Sequence, residues 1–376
     1  MIKVNDVRDT EIIINLGVIR ENMELIKEMV GKSVKVMAVV KANAYGHGIV
    51  KMAPVLRECG ADYLAVATLT EALQLRDQYP DYPIFIMGHT PDRLLETVVE
   101  YDIAQTVFSY EQAEKLNEAA EKQGKTAVVH IKVDTGFHRL GKVPSDEFRD
   151  EIIKIMELPN VKVEGIFSHL ALESKESNDK QFESFMNFVE EVEKKAGREI
   201  EFKHIADSIA TVDFPQYRLN MVRVGALIYG MRGFHKGFLP VTPALQFQTC
   251  ISQIHHIKKG EGVSYDYLWR APEDSVIATL PFGYADGYPR NLRDKGYVLI
   301  NGSKAPIVGV ICMDQCMADV TGIPNIGEGS RAIIYGNGLN GSMTIDEAAK
   351  LAETNKNDIL SRLTTRPPRV YIDNQY

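Results

Sequence analysis

The chain has 376 residues and a formal net charge of −8; 45% of its residues are hydrophobic and 25% are charged. This composition is typical of a globular protein, and the length favours two domains over a single core. No apolar run is long enough to cross a membrane and no basic stripe occurs, so we expect neither a membrane nor a nucleic acid as a partner.

The N-terminus and the cysteines indicate a cytoplasmic protein. Residues 1–6 lack the basic and apolar regions of a signal peptide. The four cysteines (Cys59, Cys250, Cys312 and Cys316) show no paired spacing of the metal-binding kind. We therefore expect reduced thiols and no metal site.

Strand-like and helical patterns alternate through the first part of the chain. A strand at Asp9–Leu16 and a helix at Gly17–Val30 come first. The eight strands predicted next are Lys35–Val40, Tyr63–Ala67, Ile84–Met87, Ala104–Val107, Ala127–Val133, Val163–Ser168, Phe202–Ile205 and Met221–Val224. The helices predicted between them are Ile49–Glu58, Leu69–Gln78, Pro91–Tyr101, Tyr110–Lys122, Asp146–Glu157, Lys180–Lys195 and the short Ile209–Phe214.

Eight strands in β-then-α order predict a (β/α)8 barrel of the TIM type, an α/β fold. An open doubly wound sheet is the alternative, although no G-x-G-x-x-G motif follows the first strand. The pattern after about Phe238 is that of an all-β region, with short strand-like runs separated by Gly and Pro turns and one helix at Thr344–Glu353. We predict a barrel domain over residues 1–240 and a β-rich domain over 241–376, with residues 1–16 pairing with the second domain.

Lys41 follows the buried strand at Val34–Val40 and begins a loop with small and turn-forming residues. The carboxyl ends of barrel strands are where such folds place their chemistry. Desolvation there lowers the pKa of an amine, which can then react with a carbonyl ligand. The alternative is an ordinary lysine that extends into solvent.

Other strand ends carry further basic groups, namely Lys132, Arg139, His169, His204 and Arg223. Together they would form a cationic mouth that suits an anionic ligand such as a phosphate. Each one alone also fits a structural role, for example His204 as a hydrogen-bonded core residue and Arg223 as an ion-paired one.

Backbone and hydroxyl donors accompany these cations. Ser208 and the backbone of Gly225 and Ala226 could offer hydrogen bonds to a phosphate. In the β-rich region, Tyr265 lies in a polar turn, and near several cations such a tyrosine could have a lowered pKa and act as a base.

Seven segments of this chain, in order, resemble segments of the alanine racemase family. They are V-V-K-A-N-A-Y-G-H-G (39–48), I-K-V-D-T-G-F-H-R-L-G (131–141), G-I-F-S-H-L (165–170), N-M-V-R-V-G (220–225), G-V-S-Y (262–265), G-Y-A-D-G-Y-P-R (283–290) and I-C-M-D-Q (311–315). The first is similar to that family's attachment signature for pyridoxal 5'-phosphate. The resemblance implies a barrel plus a β domain, and a homodimer in which each subunit completes the other's active site.

The resemblance also implies a two-base racemisation of L- and D-alanine. Lys41 would hold the cofactor covalently and act on one face of the substrate, while Tyr265 of the partner subunit would act on the other face. Arg223 would contact the pyridine nitrogen and discourage its protonation. His169 would tune the tyrosine base.

The remaining matches concern the cofactor and the substrate. By resemblance, the cofactor is bound by Tyr45, His169, His204, Ser208, Arg223, Gly225, Ala226 and the position of Thr365, and the substrate is contacted by Arg139, Met313, Tyr284 and Asp314. Lys132 matches a lysine that is often carbamylated. The resemblance implies that the protein supplies D-alanine, a peptidoglycan precursor, in the cytoplasm, with a catabolic or specialised racemase as the alternative.

Some positions depart from the family pattern. Thr365 stands where a tyrosine is usual, His138 and Phe137 where Gly and Met are usual, and Asp207 where Asn is common. Because Thr365 lacks a ring and adds a hydroxyl, we hypothesise from Thr365 and His138 a relaxed specificity, with serine or a larger amino acid used alongside or instead of alanine. A decarboxylase and a non-catalytic carrier of the cofactor are further alternatives, although G-V-S-Y and the extra β region favour a racemase.

Overall fold

The computed structural model describes residues 8–231 and 238–373. Residues 1–7 of the predicted segment 1–16 lie outside the described residues. The rest of that segment forms β1 (Glu11–Asn15) and the start of α1 (Leu16–Val30). Within the described ranges, no helix has both the length and the apolar character that crossing a membrane requires.

The first sheet consists of eight parallel strands. They are β2 (Lys35–Val39), β3 (Tyr63–Val66), β4 (Ile84–Ile86), β5 (Ala104–Val107), β6 (Ala127–Lys132), β7 (Val161–Phe167), β8 (Phe202–His204) and β9 (Met221–Val224). Their order in the sheet is β8-β7-β6-β5-β4-β3-β2-β9. The two edge strands come together where the Arg223 amide of β9 donates to the carbonyl of Ala206, just after β8, at 3.0 Å. The sheet nearly closes into the predicted barrel, and the alternative of a doubly wound sheet is wrong because the strand order never reverses.

Helices follow the barrel strands. Besides α1 they are α2 (Lys41–Tyr45), α3 (Ile49–Glu58), α4 (Leu69–Arg76), α5 (Leu95–Glu100), α6 (Tyr110–Gln123), α7 (Asp146–Glu157), α8 (Lys175–Ala196) and α9 (Ser208–Asp213). Helix α8 begins five residues before its predicted start at Lys180, because the Ser174 hydroxyl accepts from the Ser177 amide and caps it. The Lys41 segment, predicted as a loop, is a single turn.

The second sheet has nine strands and includes β1. The others are β10 (Leu245–Cys250), β11 (Gln253–Ile257), β14 (Ser275–Leu280), β15 (Tyr297–Ile300), β16 (Ser303–Val308), β17 (Cys316–Asp319), β18 (Arg331–Tyr335) and β19 (Arg369–Ile372); β12 (Gly262–Val263) and β13 (Trp269–Arg270) form a separate pair. Strand β1 lies between β10 and β19. Helices α10 (Ile345–Leu351) and α11 (Lys356–Ser361) complete this region.

The sequence patterns missed β11, the short strands β12 and β13, β19 and α11. Strand β11 lies at the edge of its sheet with mostly exposed side chains, so its apolar alternation is weak. Strand β19 follows Pro367 and Pro368, which are typical of a turn. Its place next to β1 brings the C-terminal segment close to Lys41, so this strand is important for the site.

Candidate active site

The turn that carries Lys41 has an unusual backbone. The four residues 42–45 all have φ between 52° and 54°. This left-handed conformation costs a non-glycine residue about 1–2 kcal/mol, so the surroundings must hold it. The Glu71 carboxylate does so from one side, because it accepts from the Ala42 amide at 2.6 Å and from the Ala67 amide at 2.9 Å.

The C-terminal segment holds the same turn from the other side. The Arg369 guanidinium donates to the Gly46 carbonyl at 3.1 Å, and the Tyr371 hydroxyl donates to the His47 carbonyl at 3.1 Å. A Cβ atom on Gly48 would lie 2.0 Å from the Tyr371 hydroxyl oxygen, so glycine is required there. Both domains thus fix the position of Lys41.

A cavity of about 580 Å³ opens at the carboxyl ends of the barrel strands. Most of the predicted cofactor and substrate residues line it. These are Lys41, Tyr45, Lys132, Arg139, His169, Ser208, Arg223, Gly225 and Ala226. His204 does not line the cavity but supports Arg223 from below, at an Nη1–Nδ1 distance of 2.9 Å.

The lining is strongly cationic. Lys41, Lys132, Arg139, Arg223 and Lys356 contribute positive charge, whereas Asp207 is the one acid among the described lining residues. The Asp207 carboxylate is already engaged, because it accepts from two backbone amides at the start of α9. The cavity therefore suits a ligand with more than one negative charge.

Burial and mutual repulsion lower the pKa values of the two cavity amines. Burial and then the charge of Arg139 lower the pKa of Lys41. Burial and then Arg223 lower the pKa of Lys132 to about 7. Both lysines therefore hold a larger neutral fraction near pH 7 than a solvated lysine does, and a neutral amine can act as a nucleophile or a base.

Arg223 is fixed by five acceptors. Its Nη2 donates to the Ser168 carbonyl at 2.8 Å and to the Ile205 carbonyl at 3.1 Å, and it lies 3.2 Å from His169 Nδ1. Its Nη1 contacts both the Nδ1 and the carbonyl of His204. Burial lowers the pKa of Arg223 only to about 10, so the guanidinium stays charged at pH 7.

Burial and the surrounding cations hold the pKa of His169 at about 2. This ring is neutral at any working pH. Its Nδ1 can therefore accept a hydrogen bond from an Arg223 N–H without adding charge to the cavity.

Three groups form a small cradle at one end of the cavity. The Gly225 amide donates to the Ser208 hydroxyl at 2.9 Å, and the Tyr45 hydroxyl lies close to Gly225. A Cβ atom on Gly225 would be 2.7 Å from the Tyr45 hydroxyl oxygen, so a side chain there would fill the cradle. Hydroxyl and amide donors around a space free of side chains are typical of a phosphate site.

The turn after β6 delivers Arg139 to the cavity. Asp134 organises it by accepting from the amides of Gly136, Phe137 and His138. The Arg139 guanidinium then lies 4.4 Å from the centre of the Phe137 ring. The His138 side chain points away, is 75% exposed and lies 3.3 Å from Asp134, and it does not line the cavity.

Tyr265 lies in a different cavity of the protomer. Its side chain is 66% exposed and lines a second depression of about 620 Å³ in the β-rich domain, which shares no lining residue with the Lys41 cavity. Three residues around it, Ser264, Asp266 and Tyr267, have positive φ. The structure thus does not bring Lys41 and Tyr265 together within one chain.

The other predicted substrate residues also lie outside the Lys41 cavity. The loops of Tyr284 and Met313 are fastened together, because the Tyr284 amide donates to the Cys312 carbonyl at 3.2 Å and the Ala285 amide to the Met313 carbonyl at 3.0 Å. Asp314 pairs with Arg366 at 2.8 Å. Tyr284, Met313 and Thr365 are all exposed.

Sequence reasoning missed several residues around the site. Lys356 and Asn357 line the cavity from α11, and nothing in the local pattern T-N-K-N-D indicates this. His130 lies beneath the site and contacts His204 at 2.9 Å. A histidine inside the buried strand A-V-V-H-I-K was a detectable signal, since an isolated polar group in a core needs a partner.

Comparisons with known proteins agree along the whole chain. The family model of the alanine racemase N-terminal domain matches residues 14–233, and that of the C-terminal domain matches residues 244–371. The alanine racemase of Clostridium tetani is 42% identical over 96% of this chain and 94% of its own length. Alanine racemase 1 of Clostridium acetobutylicum is 41% identical over 96% of this chain and 95% of its own length.

Solved structures agree as well. The alanine racemase of Clostridium difficile superposes with a TM-score of 0.94 at 37% identity, covering 99% of this chain and 97% of that one. The structure of that enzyme in complex with cycloserine has a TM-score of 0.91 at 36% identity, with coverage of 100% and 97%. The alanine racemase of Bacillus anthracis with bound L-Ala-P has a TM-score of 0.89 at 33% identity, with coverage of 98% and 96%.

Proposed function

This chain belongs to the alanine racemase family, a family of isomerases that use pyridoxal 5'-phosphate, and we propose that it interconverts L- and D-alanine with Lys41 and Tyr265 as its two bases. The observation that carries the proposal is the Lys41 cavity. It combines a buried amine of lowered pKa, a cationic lining and a cradle of hydroxyl and amide donors.

The residues present fit the cofactor. The cradle at Tyr45, Ser208 and Gly225 suits its phosphate, because a Cβ atom at Gly225 would occupy that space. Ala226 lines the same end, and Arg223 presents a charged guanidinium to the cavity. When bound, the cofactor withdraws electrons from the substrate and so makes its α-proton removable.

Lys41 holds the cofactor and moves one proton. Its buried amine has a lowered pKa, so it can accept the α-proton at Nζ and return it. Two neighbours support this role. The Glu71 carboxylate fixes the strained turn, and Arg139 lowers the proton affinity of the amine through its charge.

Inversion of a tetrahedral carbon needs a second base on the opposite face. Tyr265 fills this role from a partner subunit, since in its own protomer it lies in a separate, exposed depression. The Tyr284 loop and the Met313–Asp314 loop meet at Cys312, which lines the same depression as Tyr265, so these exposed residues would accompany Tyr265 to the entrance of the partner's cavity. Exposed aromatic side chains on one face are typical of an interface core. The working form is therefore a homodimer with shared sites.

Arg139 binds the substrate carboxylate, and Lys132 positions Arg139. Because the pKa of Lys132 is about 7, part of the population is neutral and can add carbon dioxide with loss of one proton to give a carbamate. The anionic carbamate would pair with Arg139 and replace a cation–cation repulsion with an attraction.

Alanine is favoured over serine as the substrate. The relatives at 38–42% identity are named alanine racemases. The residues behind the serine hypothesis give it no support within one protomer, since neither His138 nor Thr365 lines the cavity. No observation favours the decarboxylase or the non-catalytic carrier.

The proposal also includes the domain boundary and the cellular location. The division between the barrel and the β-rich domain near residue 240 is supported by the two sheets on either side of it, with β1 contributed to the second. Action in the cytoplasm is supported by the four free cysteines.

The experiment is a racemisation assay on purified protein loaded with the cofactor. L-alanine should lose its optical activity and yield D-alanine, and L-serine should react at least about tenfold less efficiently in kcat/KM. Lys41→Ala should abolish the activity and the covalent retention of cofactor after borohydride reduction. Release of carbon dioxide, or no turnover by a fully loaded enzyme, would contradict the proposal.

A further inference from the structure

Four charged or polar side chains form a continuous buried chain through the barrel interior. Arg223 Nη1 contacts His204 Nδ1 at 2.9 Å, His204 Nε2 contacts His130 Nδ1 at 2.9 Å, and His130 Nε2 contacts Glu164 Oε2 at 3.4 Å. Each of the four residues is at most 7% exposed, and both histidines are fully buried. The chain runs from the floor of the Lys41 cavity to the opposite end of the barrel.

The chemistry of the two end groups, Arg223 and Glu164, allows only one placement of the protons on the two histidine rings. Arg223 can only donate, so His204 Nδ1 must accept and the proton of this neutral ring must be on Nε2. His130 Nδ1 must then accept the hydrogen bond from this N–H, so the His130 proton is on Nε2. The ionised Glu164 carboxylate can only accept, and so it receives the His130 N–H at the far end.

The surroundings keep both ends in the required ionisation states. Burial opposes ionisation of Glu164, but hydrogen bonds from His130, Lys162 and Tyr63 outweigh it and hold the pKa of the carboxyl at about 2. Burial lowers the pKa values of His130 and His204, so neither ring takes a second proton near pH 7.

The backbone is adapted to this contact. Strand β7 lies between β6, which carries His130, and β8, which carries His204. At the crossing β7 has Gly165, where a Cβ atom would lie 2.3 Å from His130 Nδ1. The register of β6 against β7 also shifts between Val129 and His130. Glycine and an irregularity at one point in a buried strand are typical of a close approach.

Aromatic packing fixes the rings. His204 stacks on Phe167 with a centroid distance of 4.9 Å and an interplanar angle of 3°. His130 packs on Phe85 at 4.5 Å. Neither histidine can turn freely, so the direction of the hydrogen bonds is set by the ends of the chain rather than by ring rotation.

We propose that Glu164 is a positioning residue for the racemisation, since its carboxylate is the final acceptor of a one-directional hydrogen-bond chain through His130 and His204 that holds the Arg223 guanidinium in place in the Lys41 cavity. The catalytic part of this proposal rests on the proposed function, whereas the direction of the hydrogen bonds does not depend on that function. A change at Glu164 therefore reaches the cavity although Glu164 does not line it.

The direct test is nitrogen-15 NMR of the holoenzyme with labelled histidines, the two signals being assigned by His130→Gln and His204→Gln. We expect both rings to be neutral with the proton on Nε2. A proton on Nδ1 of either ring, or a charged ring at pH 7, would overturn the proposal. This measurement is independent of turnover, so it distinguishes failure of the proposed hydrogen-bond chain from failure of the proposed function.

The kinetic test uses Glu164→Gln, which keeps the shape of the side chain but removes its charge. We expect kcat to fall about tenfold with little change in KM, and the nitrogen-15 signal of His130 Nε2 to shift because its hydrogen bond to a carboxylate is lost. The matched control is Glu201→Gln, which removes the other carboxylate bound to Lys162 and should leave both readouts unchanged. A wild-type kcat together with an unchanged His130 Nε2 signal in Glu164→Gln would refute the role.

Discussion

The phosphate cradle gives the sharpest prediction for a single added methyl group. In Gly225→Ala the new Cβ would lie 2.7 Å from the Tyr45 hydroxyl oxygen and 3.1 Å from its Cζ. Ordinary contact begins at about 3.4 Å, so the hydroxyl must move by roughly 0.7 Å. Tyr45 cannot move freely, because its ring packs at 5.1 Å on the buried Tyr229 and its backbone belongs to the left-handed turn.

The expected loss follows from the groups that are displaced. Moving the Tyr45 hydroxyl would remove the hydrogen bond that we propose it donates to the cofactor phosphate, and such a bond to a charged group is worth about 1.5–3 kcal/mol. This corresponds to about 10- to 150-fold weaker cofactor binding. Overpacking adds a stability cost of about 1–3 kcal/mol in the free protein.

The assay is a titration of apoprotein with pyridoxal 5'-phosphate, followed by absorbance and fluorescence. Gly327→Ala is the matched control, because a Cβ atom there meets nothing within 4 Å. Tyr45→Phe in the Gly225→Ala background should recover stability but not affinity, since the clashing oxygen is gone. A folded Gly225→Ala protein that binds the cofactor within twofold of wild type would refute the cradle.

Two further predictions concern stability. Gly165→Ala should lower the free energy of unfolding, measured by urea denaturation, by about 1–3 kcal/mol, because its Cβ would lie 2.3 Å from the tightly packed ring of His130. An unchanged denaturation midpoint would show that the ring can move aside. Burial lowers the pKa of His47 from 6.5 to about 4. Below pH 6.5 the unfolded chain therefore binds a proton at His47 that the folded protein excludes. Stability falls for this reason as the pH decreases from 6.5 towards 4. Between pH 7 and pH 5 this group lowers the free energy of unfolding by about 2 kcal/mol. His47→Gln should remove that part of the pH dependence of stability. If the variant showed the same pH dependence as wild type, His47 would be excluded as its source.

The barrel and most of its cavity were predictable because their sequence signals are local. Alternation of strands and helices places every strand end at one mouth, so the order of the elements alone groups Lys41, Lys132 and Arg223. The family resemblance then supplied roles that spacing alone left open, such as that of Tyr265.

What escaped prediction depends on distant parts of the chain. Lys356 reaches the cavity from α11, whose Leu360 carbonyl lies beside Gly46 of the Lys41 turn although the two segments are far apart in sequence. The partnership of His130 with Glu164 depends on a register shift and on Gly165, neither of which has a periodic signature. The separation of Lys41 from Tyr265 is a property of the folded protomer and is not visible in sequence spacing.

The central claim is that each active site takes Lys41 from one subunit and Tyr265 from the other. It is tested by co-expressing Lys41→Ala and Tyr265→Ala chains with different affinity tags and purifying the mixed dimer. Each pure variant should be inactive. In the mixed dimer one site lacks both bases and the other is complete, so the account predicts about half of the wild-type activity per dimer. A mixed dimer as inactive as its two parents would contradict the account, because it would mean that both bases belong to the same subunit.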